Sequence, residues 1–281
     1  MSTRSKTTHQ FGRIVLYSIA LLFLAIFGFP LVWMVYTTFK SMPEITRGVW
    51  SLPSKLDFQN YQTVLSRSNL PRYYLNSIIV SVVSVGALTL LSAMAGFVFA
   101  RVWFRGINAL FTLFLAGMMI PIHITLIPVY IMLRDLGLLS TLWALIFPYV
   151  GFGLPLSIFI LRGFFAELPI ELEDAARIDG CSTAGVFWRI MLPLARPAIV
   201  TVIIVNLVNT WNEYLFALTF IHDEKHRTLP LGLAEFEGVQ GAMNINLVFT
   251  ALTLAVVPVL IVYFLAQRQL IRGLTAGAVK G

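Results

Sequence analysis

The sequence predicts an all-α polytopic membrane protein with about six transmembrane helices, both termini in the cytoplasm, and a cytoplasmic helix–corner–helix loop between helices four and five. Two observations lead to this fold class. First, 58% of the 281 residues are hydrophobic and 12% are charged, whereas about 25% are charged in a soluble globular domain. Second, uncharged apolar segments long enough to cross a bilayer, about 20 residues each, recur along the chain. Most of the surface must therefore face apolar surroundings.

Each apolar segment is expected to form one span. The fifth segment is uncharged except for one acidic residue, Glu213. The first span has basic residues before it, as a signal peptide would: Arg4, Lys6 and Arg13. Its apolar stretch is too long for a signal peptide and no small-residue cleavage site follows, so we expect it to be a retained helix. Prolines in the spans, such as Pro121, are either simply tolerated or bend a helix around a cavity. A single transmembrane domain is expected over residues 1–281, with spans at residues 14–39, 75–100, 108–132, 141–161, 197–220 and 246–267.

The net charge of +7 is interpreted as a topology signal, because the Lys and Arg residues lie between apolar segments and form no nucleic-acid motif. Short loops rich in Lys and Arg stay on the cytoplasmic side of a membrane. Three such segments contain basic residues and no acids: the N-terminal tail with Arg4, Lys6 and Arg13, the second loop with Arg101 and Arg105, and the C-terminal tail with Arg268, Arg272 and Lys280. These segments predict an N-in, C-in topology.

Several kinds of chemistry are not expected of this chain. Cys181 is the single cysteine, so an intrachain disulfide or a cysteine metal cluster is excluded. His222 and His226, with acids between them, fit no zinc spacing, and no metal site is predicted. The sequence contains no G-x-x-x-x-G-K-[ST] motif, so the chain is not expected to bind ATP itself. No catalytic residue and no bound cofactor are predicted.

The loop at residues 167–193 is the most informative part of the sequence. Its acidic start, which includes Glu173 and Asp174, suits the positive N-terminus of a short helix. Gly180 is placed to end that helix in a left-handed conformation, and Ser182 or Thr183 can cap the next one. The small pair at residues 175–176 leaves a bare side on the first helix, where another protein can approach closely.

This loop resembles the cytoplasmic loop of the permease subunits of binding-protein-dependent ABC importers. Their pattern is E-A-A, three residues, Gly, nine residues and I-x-L-P, and this chain has Asp174-Ala175-Ala176, Gly180 and Ile190-Met191-Leu192-Pro193 at the same spacing. Asp174 departs from the pattern, and Glu173 beside it can substitute for the missing glutamate in part. Three further segments, at residues 210–218, 227–233 and 273–281, make the chain similar to the branch that imports carbohydrates such as maltose.

The resemblance implies a multisubunit importer in a bacterial cytoplasmic (inner) membrane. Its partners would be a second permease in a heterodimer, two ATPase subunits that use ATP and Mg, and an extracytoplasmic solute-binding protein. The residues implied in ATPase coupling are Glu173, Asp174, Ala175, Ala176, Asp179, Gly180, Ile190, Leu192 and Pro193. Within the outside loop at residues 222–246, the residues implied in contact with the binding protein are Leu233, Glu235, Phe236, Glu237 and Gly238.

Polar residues inside the fifth span form the candidate solute path: Asn209, Trp211, Asn212, Glu213 and Tyr214. An ionisable residue in a span usually faces the bundle interior or a cavity. Two interpretations stay open. In one, the polar groups line the path, and Trp211 and Tyr214 stack on a sugar. In the other, the polar groups bind a neighbouring helix. His123 in the third span is expected to be a packing residue rather than a proton relay.

Two rival functions are weighed against carbohydrate import. The same machine could carry another solute, such as glycerol phosphate or an amino acid. A secondary transporter or channel is disfavoured by the coupling loop and by the scarcity of membrane carboxylates for ion coupling.

Overall fold

The computed structural model describes residues 3–236 and 245–278. At residues 3–11, 67, 235–236, 266 and 268–278 it describes the backbone and not the side chains. Over these residues the regular secondary structure is helical, which confirms the all-α fold class. The helices, in chain order, are α1 Thr3–Thr37, α2 Met42–Arg47, α3 Gln59–Arg67, α4 Leu70–Arg101, α5 Ile107–Gly117, α6 Leu126–Asp135, α7 Trp143–Glu167, α8 Glu171–Ile178, α9 Thr183–Val186, α10 Leu192–Leu194, α11 Arg196–Asn212, α12 Leu215–Phe220, α13 Leu229–Phe236 and α14 Ile245–Ala278.

Four to six membrane spans are present among the described residues. Segments long and apolar enough to cross a bilayer alone are Gly12–Thr37 in α1, Leu70–Arg101, Trp143–Glu167 and Ile245–Leu265 in α14. Two further spans arise if each of two bent helix pairs counts as one. These pairs are Ile107–Gly117 with Ile122–Asp135, bent by 88°, and Thr183–Leu194 with Arg196–Asn212, bent by 73°. The protein is therefore polytopic.

The third expected span is broken rather than continuous. Helix α5 ends at Gly117, and a 3₁₀ turn at Ile122–Thr125 leads into α6 after a bend of 88°. Pro121 lies at the break in an extended conformation, with φ −61° and ψ 122°. A proline lacks the backbone N–H that a continuing helix needs and disfavours a helical residue before it. His123 lies in the exposed turn of this break.

The described chain divides into two compact units. The smaller contains residues 1–70 and 233–256, and the larger contains residues 71–232 and 257–281. In the larger unit, one apolar core lies around Leu161, Phe165, Met191 and Val202, between α4, α7, α11 and the α8–α10 loop. This core is the base on which the loop at residues 167–193 rests.

In the smaller unit, a buried lysine organises the chain where α1 ends. Lys40 Nζ donates to the carbonyl of Val49 at 2.9 Å and lies 5.1 Å from the centre of the Tyr36 ring. Burial lowers the pKa of Lys40, and the charge of Glu44 opposes that shift. Hydrogen bonds from Ser54 and Ser41 lower the pKa of Glu44 to about 2. The segment after α1 is thus fixed by specific polar contacts.

Candidate functional site

The first helix of the candidate coupling loop, α8, begins and ends as its sequence dictates. Leu168 is extended before Pro169, and three acids occupy the first turn of the helix, where the helix dipole favours negative charge. At the other end, Gly180 adopts φ +81°. Its N–H donates to the Arg177 carbonyl at 3.0 Å, and the Cys181 N–H donates to the Ala176 carbonyl at 2.9 Å. This bond pair is a Schellman cap, so the predicted left-handed corner is confirmed.

The second half of the loop consists of short turns that pack on the core. Ser182 caps α9 by accepting a hydrogen bond from the Gly185 N–H at 3.2 Å. A π-helical turn, Phe187–Met191, then joins α9 to α10. The motif residues Ile190 and Leu192 are half-buried against the apolar core, whereas Pro193 is exposed.

The two alanines of the motif face opposite surroundings. Ala176 is 7% exposed and packs into the core of its own chain, so the prediction that both alanines are open to another protein is wrong for this one. Asp174, Ala175 and Asp179 are exposed. The outer face of α8 also presents Ile178, which is 85% exposed. The sequence analysis missed Ile178, although an isoleucine between two charged residues on the side away from Ala176 was the available signal.

Glu173 is turned inward, where it meets Arg101 from the end of α4. The Arg101 Nε lies 3.1 Å from Glu173 Oε1, and the two side chains are 9% and 3% exposed. Arg177, in the next turn of α8, approaches Glu173 Oε2 at 4.0 Å. Within the described chain, neither Arg101 Nε nor Glu173 Oε1 has an aligned hydrogen-bond partner, so the attraction between them is ionic.

Arg101 also holds the end of α7. Its Nη2 donates to the Phe165 carbonyl at 2.6 Å and to the Leu168 carbonyl. These carbonyls lie at a helix C-terminus, which favours a cation. Arg101 therefore joins the ends of α4, α7 and α8, and we call this group of contacts the Arg101 clamp. In the sequence, the only signal for this clamp is the positive charge of Arg101, which is interpreted as a topology signal.

The fifth span breaks at Glu213, and this residue ties the two halves together. Glu213 is extended, with φ −69° and ψ 128°, between α11 and α12. Its carboxylate accepts hydrogen bonds from the Phe216 N–H at 2.7 Å and the Ala217 N–H at 3.3 Å. It also accepts one from the Tyr149 hydroxyl of α7. Glu213 thus caps α12 and attaches the break to the neighbouring helix.

Other polar residues of this span divide into inward and outward groups. Buried Asn206 donates to Ser157 Oγ of α7 at 3.0 Å and to the Val202 carbonyl at 2.8 Å. Trp211 is also buried and meets the Tyr74 ring edge-on, with the ring centres 5.6 Å apart. In contrast, three members of the candidate solute path are exposed on this chain: Asn209, Asn212 and Tyr214.

The candidate contact loop for a binding protein is described in part. Leu233 is half-buried in α13. The backbone of Glu235 and Phe236 belongs to the same helix, but their side chains, and all of Glu237 and Gly238, lie outside the described residues. Earlier in the loop, His226 Nδ1 lies 2.7 Å from Asp223 Oδ2. The side chains of Asp223 and His226, which lie close together in the sequence, thus contact each other.

Comparison with known proteins gives consistent matches. The family described as binding-protein-dependent transport system inner membrane component matches residues 88–276. The chain is 44% identical over 253 residues to the ABC transporter permease protein ORF2 of Caldicellulosiruptor sp. (strain Rt8B.4), covering 90% of this chain and 91% of that one. It is 36% identical over 272 residues to the trehalose/maltose transport system permease protein MalG of Thermococcus litoralis, covering 96% and 97%.

The fold is also similar to a solved structure. The match is a chain in the crystal structure of a bacterial ABC transporter involved in import of the acidic polysaccharide alginate. The TM-score is 0.78 at 22% sequence identity, and the match covers 95% of this chain and 98% of the other. At this identity the likeness concerns the fold.

Proposed function

The chain belongs to the family of binding-protein-dependent transport system inner membrane components, and from this premise we propose that it is the permease subunit of an importer for a sugar or oligosaccharide. Membership makes it a multi-pass subunit of the inner membrane and not an enzyme, because the ATPase of such importers is a separate subunit. The alignment with permeases over about nine tenths of the chain is the observation that carries this function.

A carbohydrate is the substrate class that the relatives support best. The relative from Thermococcus litoralis is named for trehalose and maltose and aligns over 96% of this chain. The structurally similar importer is described as carrying alginate, which is also a carbohydrate. Neither name identifies the sugar that this chain transports.

The importer that we propose has the parts implied by the resemblance. A second permease completes the path across the membrane, and an extracytoplasmic binding protein delivers the solute. Two ATPase subunits bind ATP and Mg and supply the driving force, since the permease itself lacks a nucleotide motif. The candidate binding-protein contacts at residues 233–238 belong to this proposal.

The outer face of α8 is the proposed docking surface for one ATPase subunit. It combines the small Ala175 with the exposed Leu172 and Ile178, and apolar groups exposed together commonly mark an interaction site. Asp174 and Asp179 supply exposed carboxylates at the same surface. The absence of a large side chain at Ala175 allows the ATPase to approach the helix backbone.

The Arg101 clamp supports a mechanism for force transmission. When the ATPase subunits close, the surface of α8 is displaced with them. Because Arg101 binds Glu173 of α8 and the carbonyls at the end of α7, that displacement reaches α4 and α7 without a flexible joint. Removing one partner of a buried ion pair typically costs about 3–5 kcal/mol because the other charge is left unpaired, so the connection between these helix ends depends on both Arg101 and Glu173.

The exposed amides of α11 support a solute path beside the broken fifth span. Asn209 and Asn212 are three residues apart and share a face of the helix. A polar face directed at lipid is disfavoured, so such residues usually face a cavity or another helix. Broken membrane helices occur where they line a cavity. In this proposal Glu213 keeps the break rigid, and the amides contact the solute.

Uptake by the purified importer tests the proposal. The permease, its partner permease and the ATPase subunits are reconstituted in vesicles, and radiolabelled maltooligosaccharides are supplied with the binding protein. We expect uptake that requires both ATP and the binding protein. Uptake of glycerol phosphate or an amino acid in place of any carbohydrate would contradict the substrate class, and uptake without ATPase subunits would contradict the importer itself.

A further inference from the structure

We propose that residues 49–58, between α2 and α3, form an anchor that binds the phospholipid surface where α1 leaves the membrane. We call these residues the interface segment. Four of its large apolar side chains are between 62% and 77% exposed: Trp50, Leu52, Leu56 and Phe58. Contiguous apolar groups of this size on a protein surface mark a contact with another apolar phase or molecule.

The interface segment is attached to the side of α1. The Val49 carbonyl accepts hydrogen bonds from Trp33 Nε1 at 3.2 Å and from Lys40 Nζ at 2.9 Å. The Tyr36 hydroxyl donates to the Trp50 carbonyl at 3.4 Å. The Trp50 ring stacks on Phe29, with ring centres 5.9 Å apart, and lies 5.2 Å from the Trp33 ring. The segment therefore folds back along the helix.

The position of Phe29 places this contact beside the membrane span. Phe29 lies two turns before Thr37, the last residue of the apolar segment Gly12–Thr37. At 1.5 Å per residue, the ring on which Trp50 stacks is about 12 Å back from the end of α1. No residue in the most apolar window of this span is buried within the described chain. The interface segment thus adjoins the exposed surface of an apolar helix that is long enough to cross the bilayer.

The side chains of the segment match the chemistry of a lipid headgroup region. Tryptophan is enriched where membrane meets water, because its ring is apolar and its N–H is polar. Leu52 and Leu56 suit the boundary of the acyl chains. Arg47 just before the segment and Lys55 within it are exposed, and Lys55 also lies 3.7 Å from Asp57 of the same segment. Such cations bind phosphate groups.

Photocrosslinking in the whole importer tests the lipid contact. Benzoylphenylalanine is introduced at Leu52 or Leu56, and in a matched control at Gln62, an exposed polar residue of α3. Each importer is reconstituted with phospholipid that carries radioactive phosphate and is then irradiated. We expect at least five-fold more radioactivity on this chain with the probe at Leu52 or Leu56 than at Gln62. If one variant fails to assemble, the other reports independently.

Two results would overturn the proposal. Adducts between either probe and a protein subunit, in excess of lipid adducts, would show that the second permease or the binding protein covers the segment. Lipid labelling no greater than that of the Gln62 control would show that the segment faces water.

Discussion

Two irregular junctions of the larger unit are each held by a glutamate, and the two glutamates have different partners. Glu173 in the coupling loop faces the guanidinium of Arg101, whereas Glu213 in the broken fifth span accepts hydrogen bonds from two backbone N–H groups and a tyrosine hydroxyl. An ionic contact between mobile elements depends on both charges being present. A cap made of neutral donors depends only on an acceptor oxygen at the right place.

The difference suggests a division of roles. The Arg101 clamp connects the ends of three helices, which in the proposed mechanism move together when an ATPase docks. The Glu213 junction fixes a local backbone conformation within one span. Removing a charge should therefore lower stability strongly at the Arg101 clamp and only slightly at the Glu213 break.

The largest effect is expected from Arg101→Ala. This change leaves Glu173 buried without its cation, and the free energy of unfolding should fall by about 3–5 kcal/mol. Thermal unfolding of the purified importer and solute uptake measure the result. Arg105→Ala, at an exposed position of the same loop, is the matched control and should behave as wild type. An Arg101→Ala importer as stable and active as that control would remove the clamp from the mechanism.

A smaller loss is expected from Gly180→Val. The φ of +81° at Gly180 disfavours side chains, and a Cβ there would touch nothing within 4 Å, so the whole effect is backbone strain. A left-handed conformation costs a non-glycine residue about 1–2 kcal/mol. Gly180→Asn should retain most transport, because asparagine tolerates this conformation. Equal loss by both variants, measured as uptake at matched expression, would mean that the side-chain surface matters more than the corner.

At the broken fifth span, the Glu213→Gln and Glu213→Ala variants should differ in thermal stability. Glutamine keeps an acceptor oxygen for the N–H groups of α12, so stability should change by less than about 1 kcal/mol. Alanine removes the cap, which typically costs about 0.5–2 kcal/mol. The comparison is made by thermal unfolding of both variants. A Gln variant as unstable as the Ala variant would show that the negative charge itself holds the break.

The smallest effect on stability is expected from the exposed amides. Asn209→Leu and Asn212→Leu remove groups that we assign to the solute, so the KM for uptake should rise about two- to ten-fold, as expected for one hydrogen bond of roughly 0.5–1.5 kcal/mol. Asn206→Leu is the internal contrast, since it breaks a buried bond to Ser157 and should lower thermal stability. An unchanged KM in both exposed variants would leave these amides with a packing role.

The sequence predicted local features better than contacts between distant residues. The helical corner at Gly180 depends on one glycine and its neighbours, so spacing was sufficient to identify it. The direction of Ala176 depends on a core that includes Phe97 of α4 as well as Phe165 and Val186 on either side of α8. Spacing within the loop does not show this core, so the interpretation of the alanine pair is wrong for Ala176. Arg101 and Glu173 are separated by more than 70 residues, and no periodic pattern joins them.

The broken spans teach a similar lesson. Apolar length identified residues 108–132 and 197–220 as membrane segments, but it carries no information on where a helix breaks. Pro121 was a visible signal for the first break, while Glu213 was read as a polar group in a continuous helix. Its second role, as the cap of α12, depends on the helix break after Asn212, which apolar length does not show.

Copurification of the ATPase with the permease tests most directly whether the ATPase docks on the outer face of α8. Ile178 and Trp103 are matched apolar residues, 85% and 87% exposed, but only Ile178 lies on the proposed docking face of α8. We predict that Ile178→Glu abolishes copurification of the ATPase subunits and ATP-dependent uptake while the two permeases still purify together. Trp103→Glu should retain the complete complex. Full recovery of the ATPase with Ile178→Glu would contradict docking through α8.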